Sequence, residues 1–184
     1  MIKSDLSSFN NDWYRPGSSV KRLLWYFFNV LFLLNPLNPF VGLKIFVLKM
    51  FGAKIGEGVI IKPKVSVKYP WKLEIGANTW IGENVWIDNL DVVKIGSNCC
   101  LSQGALLLSG NHNYKKKSFD LLVRPITLED GAWVGARAIV VQGVVMKSHS
   151  ILTVNSVATA NLEPYGIYQG NPAVKIRERI ISES

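Results

Sequence analysis

The chain has 184 residues, of which 48% are hydrophobic and 18% charged, which suits one domain with a sizeable core. Its net charge of +8 calls for an anionic partner, such as the phosphates of a nucleotide cofactor, an acidic polysaccharide or a membrane surface. The basic residues are scattered and no nucleic-acid-binding motif is present, so nucleic acid is not indicated as a partner. The two cysteines, Cys99 and Cys100, are adjacent, which excludes a disulfide framework and is compatible with a reducing, cytoplasmic location.

Residues 1–53 are predicted to form a polar arm followed by an apolar helical cap. The arm shows no cleavable secretory pattern. The apolar run from Leu23 to Leu34 is shorter than the ~20 residues that a membrane-spanning helix needs. Pro36 and Pro39 separate it from a second apolar run, Val41 to Phe51. We therefore expect two short helices.

These helices have two alternative roles. They can pack on the open first coil of the domain that follows, or they can lie on a membrane surface through residues 20–51. Lys21 and Arg22 flank the first apolar run, and Trp25 and Tyr26 suit the interface between lipid and water. The sequence leaves both roles open.

An aliphatic residue then returns at every sixth position, in runs separated by short slips and one long break. The positions are Ile55, Ile61, Val67, Leu73, Ile75, Ile81, Ile87, Val93, Ile95, Leu101, Leu107, Leu128, Val134, Val140, Met146, Leu152 and Ala158. This period fits neither an amphipathic helix nor a simple alternating strand, and it is typical of a parallel β-helix. The sequence therefore predicts an all-β solenoid over residues 54–163.

The geometry of such a solenoid explains the pattern. Three six-residue units make one triangular coil of about eighteen residues, with the large aliphatic side chain inside. A glycine often follows that residue, as at Gly76 and Gly135, where we expect either crowding or an unusual φ. The tail, residues 164–184, is predicted to form one strand and then a short helix from about Ala173.

Residues 109–125 form a polar, basic interruption of the repeat. Insertions in solenoids project from one face and frequently carry the binding site. The insertion contains His112, one of only two histidines in the chain, and histidine can accept a proton near neutral pH. His112 is therefore a candidate general base, and the alternative is a solvated loop residue.

Several motifs resemble those of a known family. Ile-Gly-Glu-Gly-Val from Ile55 and Ile-Gly-Ala-Asn-Thr from Ile75 are similar to the hexapeptide repeats of left-handed β-helix acyltransferases. Three further motifs most resemble those of O-acetyltransferases of the colanic-acid-biosynthesis type. They are Tyr-Pro-Trp-Lys-Leu from Tyr69, Ala-Trp-Val-Gly-Ala from Ala132 and Gly-Asn-Pro-Ala from Gly170. The left hand of the solenoid follows from this resemblance alone, because ordinary crossover connections are right-handed.

The resemblance implies an acetyl-CoA-dependent O-acetyltransferase that acts on a sugar hydroxyl during exopolysaccharide or capsule biosynthesis. It implies a homotrimer with the site in a cleft between subunits, His112 as general base, and direct transfer in a ternary complex. Acetyl-CoA would be a co-substrate, and no metal is expected, since two histidines cannot supply a three-histidine metal centre. The acceptor could be lipid-linked, and the enzyme could then work at the inner face of the cytoplasmic membrane.

Further site residues follow from the resemblance. Trp133 would lie beside the pantetheine arm, although an aromatic contact between prisms is the alternative, and Arg177 would lie near the phosphates. The full set for the coenzyme is Trp133, Gly135, Ala136, Ser156, Thr159 and Arg177, and the set for the acceptor is Asn84, Asp88 and Tyr114. Two other functions stay open: an antibiotic acetyltransferase of the same fold, and a non-catalytic scaffold. The polar insertion favours an enzyme over a scaffold.

Overall fold

The computed structural model describes residues 2–182 of the chain. An N-terminal arm with a 3-10 turn at Leu6–Ser8 precedes helix α1 (Ser19–Phe28), which continues through a π-helical segment, Asn29–Leu33. Helix α2 (Val41–Met50) follows, so the prediction of two short helices is confirmed. Among residues 2–182, no helix has the length and apolar character needed to cross a membrane.

The inner sides of the two helices cover the first coil of the solenoid. Trp25 is buried and donates a hydrogen bond from Nε1 to the carbonyl oxygen of Val67, at 2.8 Å. Leu48 is fully buried, as is Lys44, whose Nζ donates to the carbonyl oxygen of Ile61 at 3.2 Å. Burial and nearby Lys62 lower the pKa of Lys44. The predicted packing of the helices on the first coil is therefore confirmed for their inner sides.

The rest of the chain winds into a parallel solenoid with three faces, and its strands are numbered in chain order. The first sheet contains β1 (Lys54–Ile55), β4 (Leu73–Ile75), β7 (Val93–Ile95), β12 (Ile126–Leu128) and β15 (Val145–Met146). The second contains β2 (Ile60–Ile61), β5 (Trp80–Ile81), β8 (Cys100–Leu101), β13 (Trp133–Val134), β16 (Ile151–Leu152), β18 (Gly166–Gly170) and β19 (Ala173–Glu178). The third contains β3 (Ser66–Val67), β6 (Trp86–Asp88), β9 (Leu106–Leu108), β14 (Ile139–Val141) and β17 (Val157–Ala158). A separate hairpin joins β10 (Gly110–His112) to β11 (Leu121–Val123).

The six-residue aliphatic positions form the core, as predicted. In the first sheet, Ile55, Ile75 and Ile95 lie in register on consecutive strands, so each side chain stacks on that of the next coil. Every position of the repeat is at most 8% exposed. Burying one such side chain is worth about 1.5–3 kcal/mol, so this column can hold the coils together.

Crowding, and not an unusual φ, explains the glycine that follows the buried residue. A Cβ atom on Gly135 would lie 2.7 Å from the carbonyl carbon of Thr153 in the next coil. The left-handed backbone falls two residues later, at Asn78 (φ 55°), Asn84 (φ 58°) and Asn98 (φ 55°). Asparagine tolerates that region better than most residues, so the two sites of each corner are filled by different residue types.

The C-terminal segment differs from the prediction, because Ala173–Glu178 is a strand and not a helix. It pairs antiparallel with β18 and so satisfies the edge of the second sheet, which a helix would leave unpaired. Val174 and Ile176 alternate with Lys175 and Arg177, which is the two-residue period of a strand. The predicted C-terminal helix is therefore wrong.

The polar insertion projects from the corner between the third and the first sheet. The two preceding coils carry their extra residues at this same corner, one of them in a 3-10 turn at Pro70–Lys72. Fully buried Asn89 bonds to both the N–H and the carbonyl oxygen of Tyr69, at 2.9 and 2.7 Å. Fully buried Ser109 donates to the carbonyl oxygen of Asp88 at 3.0 Å. These buried side chains fix the base of the hairpin on the coils below.

Candidate active site

His112 ends strand β10, on the projecting hairpin. Its Nδ1 lies 2.9 Å from the carbonyl oxygen of Phe119, and the two rings stack with their centroids 4.5 Å apart. A carbonyl oxygen can only accept, so we assign the imidazole proton to Nδ1. Nε2 is then the nitrogen with a free lone pair, as a general base requires.

The N-terminal arm lies against the same hairpin, which the sequence did not reveal. Asp5 forms an ion pair with Lys117 at 3.3 Å, and the backbone N–H of Asp5 donates to the carbonyl oxygen of Lys117 at 2.9 Å. The ring of Phe9 lies 5.9 Å from that of His112, between centroids. Tyr14 donates to the carbonyl oxygen of Leu90 at 2.6 Å, and burial raises its pKa well above the usual range. Neither period nor motif marks Phe9 or Phe119 as part of the site, so sequence reasoning missed both.

Four of the residues predicted to bind the coenzyme line one cavity of about 400 Å³ on the outer face of the second sheet. They are Trp133, Gly135, Ala136 and Arg177. The indole of Trp133 is exposed and donates from Nε1 to Oγ of Ser102 at 2.9 Å. Arg177 reaches this cavity because β19 is a strand of that sheet, with Arg177 paired to Ile167. The arrangement offers an aromatic wall, backbone groups and a cation.

Ser156 and Thr159 do not line this cavity. Ser156 is 1% exposed, and its Oγ accepts a hydrogen bond from the N–H of Gly170 at 3.0 Å. A second contact, 3.0 Å long, joins Ser156 to the hydroxyl of Thr153. Thr159 is exposed just beyond β17. The roles of both residues in binding the coenzyme stay predictions.

The three residues predicted to contact the acceptor lie apart. Asp88 is buried at the end of β6, forms an ion pair with Lys68 at 3.0 Å, and lines a cavity of about 520 Å³ between α1 and the third sheet. Arg22 and Tyr26 of α1 border the same cavity. Asn84 is exposed at a corner, and Tyr114 is exposed in the hairpin. Neither Asn84 nor Tyr114 lines the cavity that contains Asp88.

Cys99 is a core thiol. Its side chain is 2% exposed, and Sγ lies 3.2 Å from the carbonyl oxygen of Glu129. Burial raises the pKa of this thiol to about 11. The reactive thiolate is therefore strongly disfavoured at neutral pH, and Cys99 is unsuited to be a nucleophile.

The outward rows of the three sheets differ in character. The first sheet presents Lys54, Glu74 and Lys94 in register, with Lys54 and Glu74 paired at 2.8 Å. The other two sheets present largely apolar rows: Ile60, Trp80, Cys100, Trp133 and Ile151 on the second, and Trp86, Leu106, Ile139 and Val157 on the third. The first sheet has the surface expected beside water, whereas the other two have surfaces suited to contact with protein or ligand.

Comparison with known proteins connects this geometry to an activity. The chain is 33% identical, over 181 residues, to the Escherichia coli protein named as a colanic acid biosynthesis acetyltransferase, WcaF, and the match covers 97% of this chain and 99% of that protein. The chain belongs to the hexapeptide-repeat acetyltransferases. No protein-family profile matches it.

A second relative agrees with this assignment, and a solved structure shares the fold. The galactoside O-acetyltransferase of E. coli is 27% identical over 134 residues, covering 71% of this chain and 66% of that protein. A hexapeptide-repeat acetyltransferase of Vibrio cholerae, solved with acetyl coenzyme A, shares the fold with a TM-score of 0.81 at 18% identity, covering 91% of this chain and 93% of that chain. The predicted left-handed β-helix and the predicted acetyltransferase are thereby confirmed, and an enzyme is favoured over a scaffold.

Proposed function

We propose that this hexapeptide-repeat acetyltransferase moves the acetyl group of acetyl-CoA to a sugar hydroxyl in exopolysaccharide or capsule biosynthesis. The observation that carries the proposal is the orientation of His112. Its Nδ1 faces the carbonyl oxygen of Phe119 at 2.9 Å, which leaves Nε2 free as a base on a projecting hairpin. The name of the WcaF relative supports the class of acceptor.

The proposed mechanism is direct transfer. Nε2 of His112 takes the proton of the acceptor hydroxyl as the oxygen forms a bond to the acetyl carbon, and a backbone N–H stabilises the developing oxyanion. The carbon–sulfur bond then breaks, and the imidazolium returns the proton to the leaving sulfur, so His112 ends as it began. No covalent enzyme intermediate is needed, which agrees with the buried, high-pKa thiol of Cys99.

The lining of the cavity on the second sheet supports it as the site for acetyl-CoA, which supplies an acetyl group activated as a thioester. Trp133 offers an aromatic surface for the pantetheine arm, Gly135 and Ala136 offer backbone groups, and Arg177 offers a cation for phosphate. Part of the net charge of +8 is accounted for by such a polyanionic co-substrate. The proposal includes two further contacts of the coenzyme, Ser156 and Thr159. It also includes three contacts of the acceptor, which are Asn84, Asp88 and Tyr114.

We propose a homotrimer, because a single described chain does not complete the site. Among residues 2–182, none of the hairpin lines the cavity that holds Trp133 and Arg177. The hairpin rises from the corner between the third and first sheets, whereas the cavity lies on the second. The apolar outward rows of the second and third sheets offer surfaces for neighbouring copies. A neighbour's hairpin over this cavity would bring base and donor together.

The proposed location is the cytoplasm, at the inner face of the membrane. Both cysteines are free, as in a reducing compartment. A lipid-linked acceptor and peripheral membrane contact through residues 20–51 form part of the same proposal.

The test is acetyl transfer by the purified protein from acetyl-CoA to a panel of sugars, polysaccharide repeat units and chloramphenicol. We expect release of CoA that depends on a sugar, with the ester found on that sugar by mass spectrometry. Transfer to chloramphenicol alone would favour the antibiotic acetyltransferase. No turnover with any acceptor, together with no binding of acetyl-CoA by calorimetry, would overturn the proposal.

A further inference from the structure

The outer sides of α1 and α2 expose large apolar side chains that nothing in the described chain covers. On α1 these residues recur at helical spacing, with Leu23, Phe27 and Leu31 each more than half exposed. Phe40 precedes α2 and Phe46 lies on its outer side, at 68% and 64% exposure. The helices pack on the first coil through buried Trp25 and Leu48, whereas the outer residues keep most of their surface exposed. We call this set the outer helical face.

The charged side chains carried by the two helices themselves have one sign. From Trp13 to Gly56 the chain contains no Asp or Glu, whereas it contains six Lys and Arg residues. Arg22 and Lys49 are exposed on the two helices, and Lys44 is buried beneath them. An apolar helical surface whose own charged side chains are all cations matches the chemistry of an anionic lipid surface, where headgroups carry the negative charge and acyl chains receive the apolar side chains.

A second copy of the chain is a poorer partner for this face. A symmetric contact would place the face against itself, and Arg22 and Lys49 would then approach the same cations with no carboxylate from the helices to neutralise them. Neither helix is long enough to span a bilayer, so contact with lipid would be peripheral.

We propose that the outer helical face docks on the surface of an anionic bilayer. The cavity that contains Asp88 is bordered by Arg22 and Tyr26 of α1, so docking would hold this cavity beside the headgroups. An acceptor carried on a membrane lipid would then reach Asp88 along the bilayer surface. Docking deepens the peripheral membrane contact proposed above for residues 20–51, by assigning it to the outer helical face. Delivery of the acceptor rests on the proposed acetyl transfer, whereas docking does not depend on that activity.

The experiment is sedimentation of the full chain with vesicles, either phosphatidylcholine alone or phosphatidylcholine with phosphatidylglycerol. We expect binding to the anionic vesicles that weakens with salt, and little binding to the neutral ones. Phe27→Glu should weaken the binding at least tenfold. The matched control is Val174→Glu. Val174 is 61% exposed and Phe27 is 59% exposed, but Val174 lies on β19, the last strand of the chain. This control should bind like the wild type.

The proposal would be overturned if the wild type did not sediment with anionic vesicles at low salt, or if both variants lost vesicle binding equally. It would also be overturned if Phe27→Glu changed the mass of the protein in light scattering but left its vesicle binding unchanged. The last result would make the face an interface between copies. Thermal melting is the control that checks whether each variant is folded. Calorimetry with acetyl-CoA, without vesicles, separates the two proposals. If the wild type did not bind acetyl-CoA, that result would contradict the proposed function and leave docking intact.

Discussion

The carbonyl oxygen of Phe119 fixes the tautomer of His112 across the projecting hairpin. The hydrogen bond is 2.9 Å long, the rings stack with an interplanar angle of 10°, and Phe119 has a left-handed φ of 53°. The backbone and the ring of Phe119 therefore hold the plane of the imidazole, and Nε2 is left with the free lone pair. This contact makes the base assignment testable.

Replacing His112 with Ala should lower kcat by roughly 10²- to 10⁴-fold, because the acceptor hydroxyl loses its proton acceptor. The affinity for acetyl-CoA, measured by calorimetry, should stay within about twofold, since Trp133 and Arg177 of the coenzyme cavity are unchanged. The control is His149→Asn. His149 occupies a left-handed corner (φ 58°), where Asn stands in other coils, so this variant should fold and keep its activity. Full activity in His112→Ala would contradict the assignment.

Replacing Arg177 with Gln should raise the Kd for acetyl-CoA roughly 5- to 10-fold, because an exposed charge-assisted contact to phosphate is lost. Repeating the titration with 3′-dephospho-CoA locates the contact. If Arg177 binds the 3′-phosphate, wild type and variant should bind this analogue equally. An equal loss with both ligands would place the contact at the diphosphate, and no loss with either would remove Arg177 from the site.

The glycines offer a test of the solenoid itself. Gly135→Ala should destabilise the protein by roughly 2 kcal/mol or more in chemical denaturation, because its Cβ would lie 2.7 Å from backbone atoms of the next coil. Gly42 in α2 is the control, since a Cβ there meets nothing within 4 Å. Gly42→Ala should stabilise the protein by about 0.5–1 kcal/mol. Equal effects at both positions would show that close stacking of the corners does not limit stability.

Cys99 should make stability fall at alkaline pH. Its pKa is raised from 9.0 to about 11 by burial, so the folded state keeps a proton that the unfolded state releases. The protonated thiol therefore contributes its full stabilisation below pH 9. As the pH rises from about 9 to 11 this contribution is lost, and the free energy of unfolding falls by roughly 2–3 kcal/mol. Denaturation of Cys99→Ala should show a smaller decline over this range. The same slope in both proteins would assign the loss to other groups.

The solenoid, its core and the projecting insertion could all be predicted from local patterns in the sequence. A residue such as Leu101 is buried because each coil repeats the same local geometry, so a six-residue period translates directly into an inward column. His112 could be singled out for a related reason, since the break in the repeat marks where the chain leaves the prism. The two apolar helices could also be predicted, because their runs and the prolines between them are local features.

Contacts between segments that are distant in the chain could not be predicted from the sequence. Val174 to Arg177 becomes a strand because the edge of β18 needs a partner, and that pairing brings Arg177 to the cavity that Trp133 also lines. The contact of Phe9 with His112 joins residues far apart in the chain, without any pattern to mark it. Local periods record which side of an element is buried, but contacts between separate segments depend on free edges and complementary surfaces, which exist only once the coils have stacked.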